Sequence, residues 1–276
     1  NSVTEIQYSV FNNCVSLKEI LIPSSVEKIG SCAFENCENL TNAKIDGCVE
    51  FSGSTFENCK KLKNVTFPPE IKDLGNDTFK NCTSLKTITI PKTSFSIIGG
   101  IFEGCINLEK VIINSDIKEC RINGSGFADC KKLKSIELPA SLEKIESNSN
   151  FYFENVSKDF KFILDSKNSF FSVSTDGKML TSKDGKTLYA WIGASGDITV
   201  PDGLTAIGNN FFSNNKNITS VIIPDSVESV SDNAFVNCTN LTSVVFPKKL
   251  KSGEFYSEYH DSTFENEYIS LNFSGC

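Results

Sequence analysis

Residues 71–91 read Ile-x-x-Leu-Gly-x-x-x-Phe-x-x-Cys-x-x-Leu-x-x-Ile-x-Ile-Pro, and nearly the whole chain is this unit copied, stretched or interrupted. The unit carries apolar marks at Phe79, Cys82, Leu85, Ile88 and Ile90. It is too short to close a core by itself, so a neighbouring copy must cover its open faces. The pattern therefore predicts a solenoid in which each copy packs on the next.

The ring recurs at Phe11, Phe34, Phe56, Phe79, Phe102 and Phe127, with spacings of 22 to 25 residues. Three residues after each Cys stands a leucine (Leu17, Leu40, Leu62, Leu85, Leu108, Leu133), followed by alternation such as Ile20-Leu21-Ile22 or Ile136-Glu137-Leu138. A period of two is that of a short strand. Proline then ends the strand at Pro23, Pro68, Pro91, Pro139, Pro224 and Pro247, because it has no backbone donor and a fixed φ. A second apolar pair, such as Val26 with Ile29 or Val227 with Val230, marks a brief extended segment on another side. Gly or Ser next opens a short helical turn that carries the Phe. Asn precedes the cysteine position at Asn13, Asn36, Asn58, Asn81, Asn155 and Asn237, where it tolerates a left-handed backbone or bonds to it. Stacked copies would place equivalent strands about 4.8 Å apart in a parallel sheet. They would also line up Phe on Phe, with Phe153, Phe212, Phe235 and Phe264 extending the six rings above.

After Leu138 the wording frays. Asp176-Gly177 and Asp184-Gly185 separate the apolar-rich runs 170–173, 179–180 and 188–192, and predict an antiparallel β-hairpin or three-strand meander that projects from the solenoid or continues it. Two Asp-Gly pairs without a surrounding carboxylate cluster read as turns and not as a calcium site. The chain thus divides into regular repeats over 1–156, an insertion over 157–200, and resumed repeats over 201–276 with an irregular C-terminal end, all within one domain. It opens in mid-pattern at Val3-x-x-Ile6, as expected of a piece of a longer protein.

The unit Leu-x-x-Ile-x-Ile-Pro-x-x-Val-x-x-Ile-Gly-x-x-Ala-Phe-x-x-Cys, nearly whole at 17–37 and again at 218–238, closely resembles the BspA-like (Treponema pallidum type) leucine-rich repeats. The resemblance covers nearly the whole chain. It implies a leucine-rich repeat solenoid of about nine to ten repeats, right-handed, with a parallel β-sheet on one face, short helical turns opposite and a β-hairpin insertion. Such proteins are typically surface-exposed or secreted in host-associated bacteria and some mucosal protozoa, where adhesion to host proteins and cells is the usual role. The second repeat departs from the pattern in lacking its proline (Ala43-Lys44-Ile45-Asp46), the fifth has Asn114 there, and residues 250–276 fit poorly.

Few chemistries survive the composition. A formal charge of −7 opposes a phosphate-tracking groove, and pairs such as Lys60-Lys61 and Lys131-Lys132 fall at loop positions, so no nucleic acid is expected. No stretch reaches the roughly 18 to 20 apolar residues of a membrane helix. Seven of the 11 cysteines (Cys14, Cys37, Cys59, Cys82, Cys105, Cys130, Cys238) share one repeat address, which favours a column of buried thiols over bridges. Cys32, Cys48, Cys120 and Cys276 lie off the column, and a disulfide among them stays open. The single histidine, His260, sits in an irregular loop with no nucleophile spaced to it. No catalytic residue, cofactor or metal site is expected.

Surface remains. With Leu17, Ile20 and Ile22 facing inward, Glu19 and Leu21 face out, and the same phase exposes Asn42, Lys44, Asn64, Thr66, Thr87, Thr89, Lys110, Ile112, Ser135, Glu137, Ser220, Ile222, Ser243 and Val245. This mostly small, β-branched and weakly charged row is the candidate protein-binding face. The hairpin, with Tyr189 and Trp191, is the second candidate. The expected partner is a protein, of the host extracellular-matrix or cell-surface kind, met at the cell surface or outside the cell. The other reading is a spacer that presents another domain and has no ligand of its own.

Overall fold

The computed structural model describes residues 3–47, 49–93, 100–120, 124–145, 153, 155–208, 211–230 and 233–248. Phe264, His260, Cys48, Cys276 and the expected closing strand lie outside them. The chain divides into two compact units, Asn1–Lys178 and Met179–Cys276.

In the first unit the alternating segments form β1 (Glu19–Ile22), β2 (Asn42–Ile45), β3 (Asn64–Thr66), β4 (Thr87–Ile90), β5 (Lys110–Ile113), β6 (Ser135–Leu138) and β7 (Lys161–Leu164). They pair in parallel as β1-β2-β3 and as β4-β5-β6-β7. The register advances by one repeat per strand, so that Glu19, Asn42 and Asn64 are partners, as are Thr87, Lys110, Ser135 and Lys161. The second apolar pair forms two-residue parallel strands on another side, such as Glu5–Ile6, Lys28–Ile29 and Glu50–Phe51. A last strand, β8 (Phe171–Val173), ends this unit's regular structure.

The third side carries the rings. Phe11, Phe34, Phe56, Phe79, Phe102, Phe127 and Phe153 form a continuous stack with centroids 5.1 to 5.8 Å apart. Beside it the thiols form the expected column: all nine described cysteines are free. The column thiols after Cys14 are also donors, with Cys59 Sγ 3.2 Å from the Phe34 carbonyl and Cys105 Sγ 3.0 Å from that of Phe79. That carbonyl already accepts the amide of its own turn's cysteine, so the thiol ties one turn to the next.

The expected helical turns take a different form. Among the described residues the only helix is a 3-10 segment at Gly124–Phe127. Elsewhere the Phe sits between two left-handed residues, as at Ser9 and Asn13, Cys32 and Asn36, Ser54 and Asn58, and Asp77 and Asn81, all with φ between 56° and 60°. A helix cannot propagate through a left-handed residue, so the segment closes as i to i−3 turns such as Cys82 N to Phe79 O at 3.1 Å. The asparagines form a ladder on this side, with Asn58 Nδ2 3.0 Å from Asn36 Oδ1 and Asn81 Nδ2 2.9 Å from Asn58 Oδ1.

In the second unit β9 (Met179–Ser182) and β10 (Leu188–Trp191) form an antiparallel hairpin, with Met179 opposite Trp191. Its Asp-Gly turn places Gly185 at φ 72° and seats Asp184 Oδ1 2.6 Å from Ser182 Oγ. The repeat then resumes as β11 (Gly196–Thr199), β12 (Ile218–Ile222) and β13 (Ser243–Val245), parallel and in that order. Phe212 and Phe235 stack at 5.2 Å over a core that includes Leu204, Ile207, Val221, Val227 and Cys238.

Two parallel strands lie within the span 157–200 read as an insertion. Lys161–Leu164 is a repeat strand at its front and Gly196–Thr199 another at its back.

Candidate functional site: the outward face of the repeat strands

Alternation fixes which side chains leave the core. In β4 the burial runs Thr87 out, Ile88 in, Thr89 out, Ile90 in, and β2 follows with Ala43 and Ile45 buried. Glu19, Leu21, Lys44, Asn64, Thr66, Thr87, Thr89, Ile222, Ser243 and Val245 are exposed, while Asn42, Lys110, Ile112, Glu137 and Ser220 are half-buried. Ser135 departs from expectation at 8% exposure. It stands in register between Lys110 and Lys161, whose long side chains flank its short one.

Register turns these residues into rows. Leu21, Lys44 and Thr66 form one; Thr89, Ile112, Glu137 and Ile163 another; and Thr199, Ile222 and Val245 a third, in the second unit. Side chains bond across the sheet, to the register partner or diagonally. Asn42 Nδ2 donates to Glu19 Oε1 at 2.8 Å, Asn64 Nδ2 donates to Asn42 Oδ1 at 2.7 Å, and Lys110 Nζ meets Glu137 Oε1 at 2.7 Å. In the second unit Asp197 Oδ1 accepts from Ser220 Oγ at 2.7 Å and Thr219 Oγ1 at 2.8 Å. Those hydroxyls hold its carboxyl below the usual range. Each row also carries exposed apolar surface, at Leu21 (58%), Ile163 (48%), Ile222 (46%) and Val245 (52%).

Four members of these rows were not read from the sequence: Lys161, Ile163, Asp197 and Thr199. A signal for them existed. Lys161-Phe162-Ile163-Leu164 alternates like any repeat strand but ends in Asp165 instead of proline, and Asp197-Ile198-Thr199-Val200-Pro201 is the strand-and-proline wording set close behind the hairpin.

The hairpin residues are less available. Trp191 packs edge-on against Phe212 at 6.1 Å and, with Met179, lies on the core of its unit. Tyr189 is half-buried, and burial first, with Asp184 second, raises its phenol pKa. Among the described residues no group of three or more His, Cys, Asp or Glu is placed to hold a metal ion, and no helix is long and apolar enough to cross a membrane.

Parallel strands advancing one repeat at a time around stacked apolar columns define a leucine-rich repeat protein. The BspA type leucine rich repeat region matches in six copies, over residues 1–105, 49–174 and 186–273, and the chain belongs to that family. No curated protein matches the sequence. Among solved structures the chain is similar to a leucine rich cell surface protein of Faecalibacterium prausnitzii A2-165, with 25% identity and a TM-score of 0.61 over 90% of this chain and 66% of that one. The pneumococcal vaccine antigen PcpA shares the fold at 19% identity and a TM-score of 0.63, over 91% of this chain and 65% of that one. A leucine-rich repeat protein of Eubacterium ventriosum does so at 19% identity and a TM-score of 0.54, over 84% of this chain and 60% of that one. The chain thus spans less than two thirds of the length of each of these relatives.

Proposed function

We propose that this chain is a non-enzymatic protein-binding module of a cell-surface or secreted protein, and that it mediates adhesion to a host or neighbouring-cell protein. The observation that carries the reading is the set of outward rows, in which exposed Leu21, Ile163, Ile222 and Val245 stand among small hydroxyl and amide side chains. Such a surface can bury apolar area without stranding charges, which suits a broad protein interface. The family assignment supports it, as does the description of the Faecalibacterium relative as a cell surface protein. An extracellular-matrix or cell-surface protein of a host fits as the partner.

The test is binding of the purified chain to a panel of extracellular-matrix proteins and host cells, beside a variant with Thr87, Thr89, Ile112 and Glu137 replaced by alanine. Saturable binding that falls at least tenfold in the variant is the expected result. Absence of binding up to high micromolar concentration would favour a spacer that presents another domain. Binding unchanged by the alanines would move the site off this face.

A further inference from the structure

The repeat strands of the first unit make two sheets, and the break lies inside the stack. β1, β2 and β3 are bonded in that order and β4 to β7 in theirs, and among the described residues no backbone hydrogen bond joins β3 to β4. The turns themselves continue across this point: Phe56 N donates to Thr78 O at 2.9 Å, Asn58 N to Lys80 O at 2.9 Å, and the Phe56 and Phe79 rings stack at 5.8 Å. The strands therefore part locally, between the Phe56–Phe79 stack before them and the Lys92 N to Pro69 O bond at 3.2 Å after them. Burial agrees. Val65 of β3 is half-buried although its equivalents Ala43, Ile88, Val111 and Ile136 are buried, and among the described residues the same half-burial recurs at Ile20 and Val244, in β1 and β13, each paired there on one side alone.

Phe67 accounts for the opening. It stands where β1, β2, β4 and β5 place Ile22, Ile45, Ile90 and Ile113, and its larger ring is wedged edge-on between Phe51 at 6.0 Å and Phe79 at 6.2 Å.

The register identifies the groups that face the opening. In a parallel ladder the N–H and C=O of one residue address the same neighbour, and successive residues alternate. Lys110 N bonds Lys86 O at 3.2 Å and Asn114 N bonds Ile90 O at 3.1 Å, so Ile88 and Ile90 serve β5 while Thr87 and Thr89 point toward β3. Asn64 N bonds Thr41 O at 3.3 Å, so Asn64 and Thr66 serve β2 while Val65 points toward β4. Unpaired strand groups of this kind are a template for another strand. Charge adds a polarity: Lys63 and Lys86 immediately precede β3 and β4 and are exposed, with Lys86 in the field of Glu109, whose ion pair at 2.9 Å is with Lys134.

We propose that the opening between β3 and β4 takes an extended peptide of a partner protein as an added parallel strand. The peptide carries apolar residues at alternate positions, against Val65 and Phe67, and an acidic residue at its N-terminal end, between Lys63 and Lys86. The site reads backbone and does not depend on the side-chain face proposed above.

The probe is a fluorescein-labelled synthetic peptide, EVTVTV, titrated with the intact chain and followed by anisotropy. Saturable binding is expected, about tenfold weaker for KVTVTV and lost for EVTPTV, whose proline removes a central donor. In the protein, Thr89→Pro removes an N–H that faces the opening and leaves the bonds to β5, a position where a strand edge tolerates proline. It should weaken EVTVTV about fivefold, the worth of one backbone hydrogen bond. Should that variant misfold, the surface pair Lys63→Glu and Lys86→Glu serves instead and should reverse the preference toward KVTVTV. Equal binding of EVTVTV and EVTPTV, an unchanged preference in the charge pair, or no saturable binding at all would overturn the proposal. Any of these beside intact host-protein binding would leave the strand-face reading standing, and the opposite pair of results would do the reverse.

Discussion

Phe79 lies between two nearly parallel rings, Phe56 and Phe102, each 5.8 Å away, and is fully buried. Truncating a buried Phe removes its transfer energy and leaves a cavity that the flanking turns cannot collapse without losing their own contacts. Phe79→Ala should therefore cost about 3 to 5 kcal/mol, read as a lower urea midpoint with an unchanged slope. The thiol column makes a second prediction. Burial raises the pKa of Cys82 and Cys105 well above 9.0, that of Cys37 to about 11 and that of Cys130 to about 12. A thiol that keeps its proton in the folded state and loses it when unfolded gives stability that is whole below pH 9.0 and declines as pH rises toward about 12. The urea midpoint should fall between about pH 8 and pH 10, and iodoacetamide at about pH 8 should label the half-buried Cys14 while sparing the buried column thiols from Cys37 to Cys238 until the protein is denatured, with Cys32 slow because burial and Glu35 raise its thiol to about 11. A flat midpoint, or rapid labelling of Cys82, would contradict this account. At this scale the Phe, Cys and Leu addresses were legible because repetition printed them many times. Asn168 was not. It is 4% exposed, donates to Pro139 O and Leu142 O at 2.9 Å each, and accepts from Phe170 N and Phe171 N at 2.9 Å. A lone Asn outside the repeat wording looks like a loop residue until its partners are known.

Among the elements, the turns and the β3–β4 opening show where reading from sequence ended. The asparagine two places after each Phe was recognised as a left-handed position, but its companion two places before, filled by Ser9, Cys32, Ser54, Asp77 and Gly100, was not. Those residues share smallness and little else, so no single letter marks the column. It also explains Cys32, whose thiol belongs to neither the column nor a bridge. Gly104 replaces the asparagine in its own turn at φ 72°, and a Cβ there would collide with Asn81 Oδ1. The opening was invisible for a different reason: it arises from the size of one ring, Phe67, at an otherwise ordinary strand position. It makes an element-level prediction. The amides of Val65, Thr87 and Thr89 should exchange with solvent orders of magnitude faster than those of Ile88 and Ile112, which are tied into the β4–β5 ladder. Comparable protection at all five would mean that β3 and β4 close on each other in solution.

Across the whole molecule, two compact units of neighbour-to-neighbour contacts are not bound to unfold as one. Trp191, the only tryptophan in 276 residues, packs on Phe212 and reports the unit Met179–Cys276 alone. Far-ultraviolet circular dichroism is weighted toward the longer unit. Urea midpoints from the two signals should therefore differ, and coincident curves would show one cooperative body. The surface ion pairs contribute little to either midpoint. Lys60 with Glu38, Lys134 with Glu109 and Lys144 with Glu119 join equivalent positions of successive turns at 2.7 to 2.9 Å, but all are exposed. Raising the salt concentration should accordingly leave stability nearly unchanged.

The turn-to-turn hydrogen bonds have a mechanical consequence. They run in the direction in which the turns stack, from one strand to its neighbour and from one Phe-bearing turn to the next. A pull on the two ends of a unit therefore opens bonds in sequence, as in a zip, and never loads a whole ladder in shear. Each turn that peels away frees a segment of about 23 residues, roughly 80 Å of extended chain, so that a module under tension lengthens in small regular steps at low force and keeps its remaining turns intact.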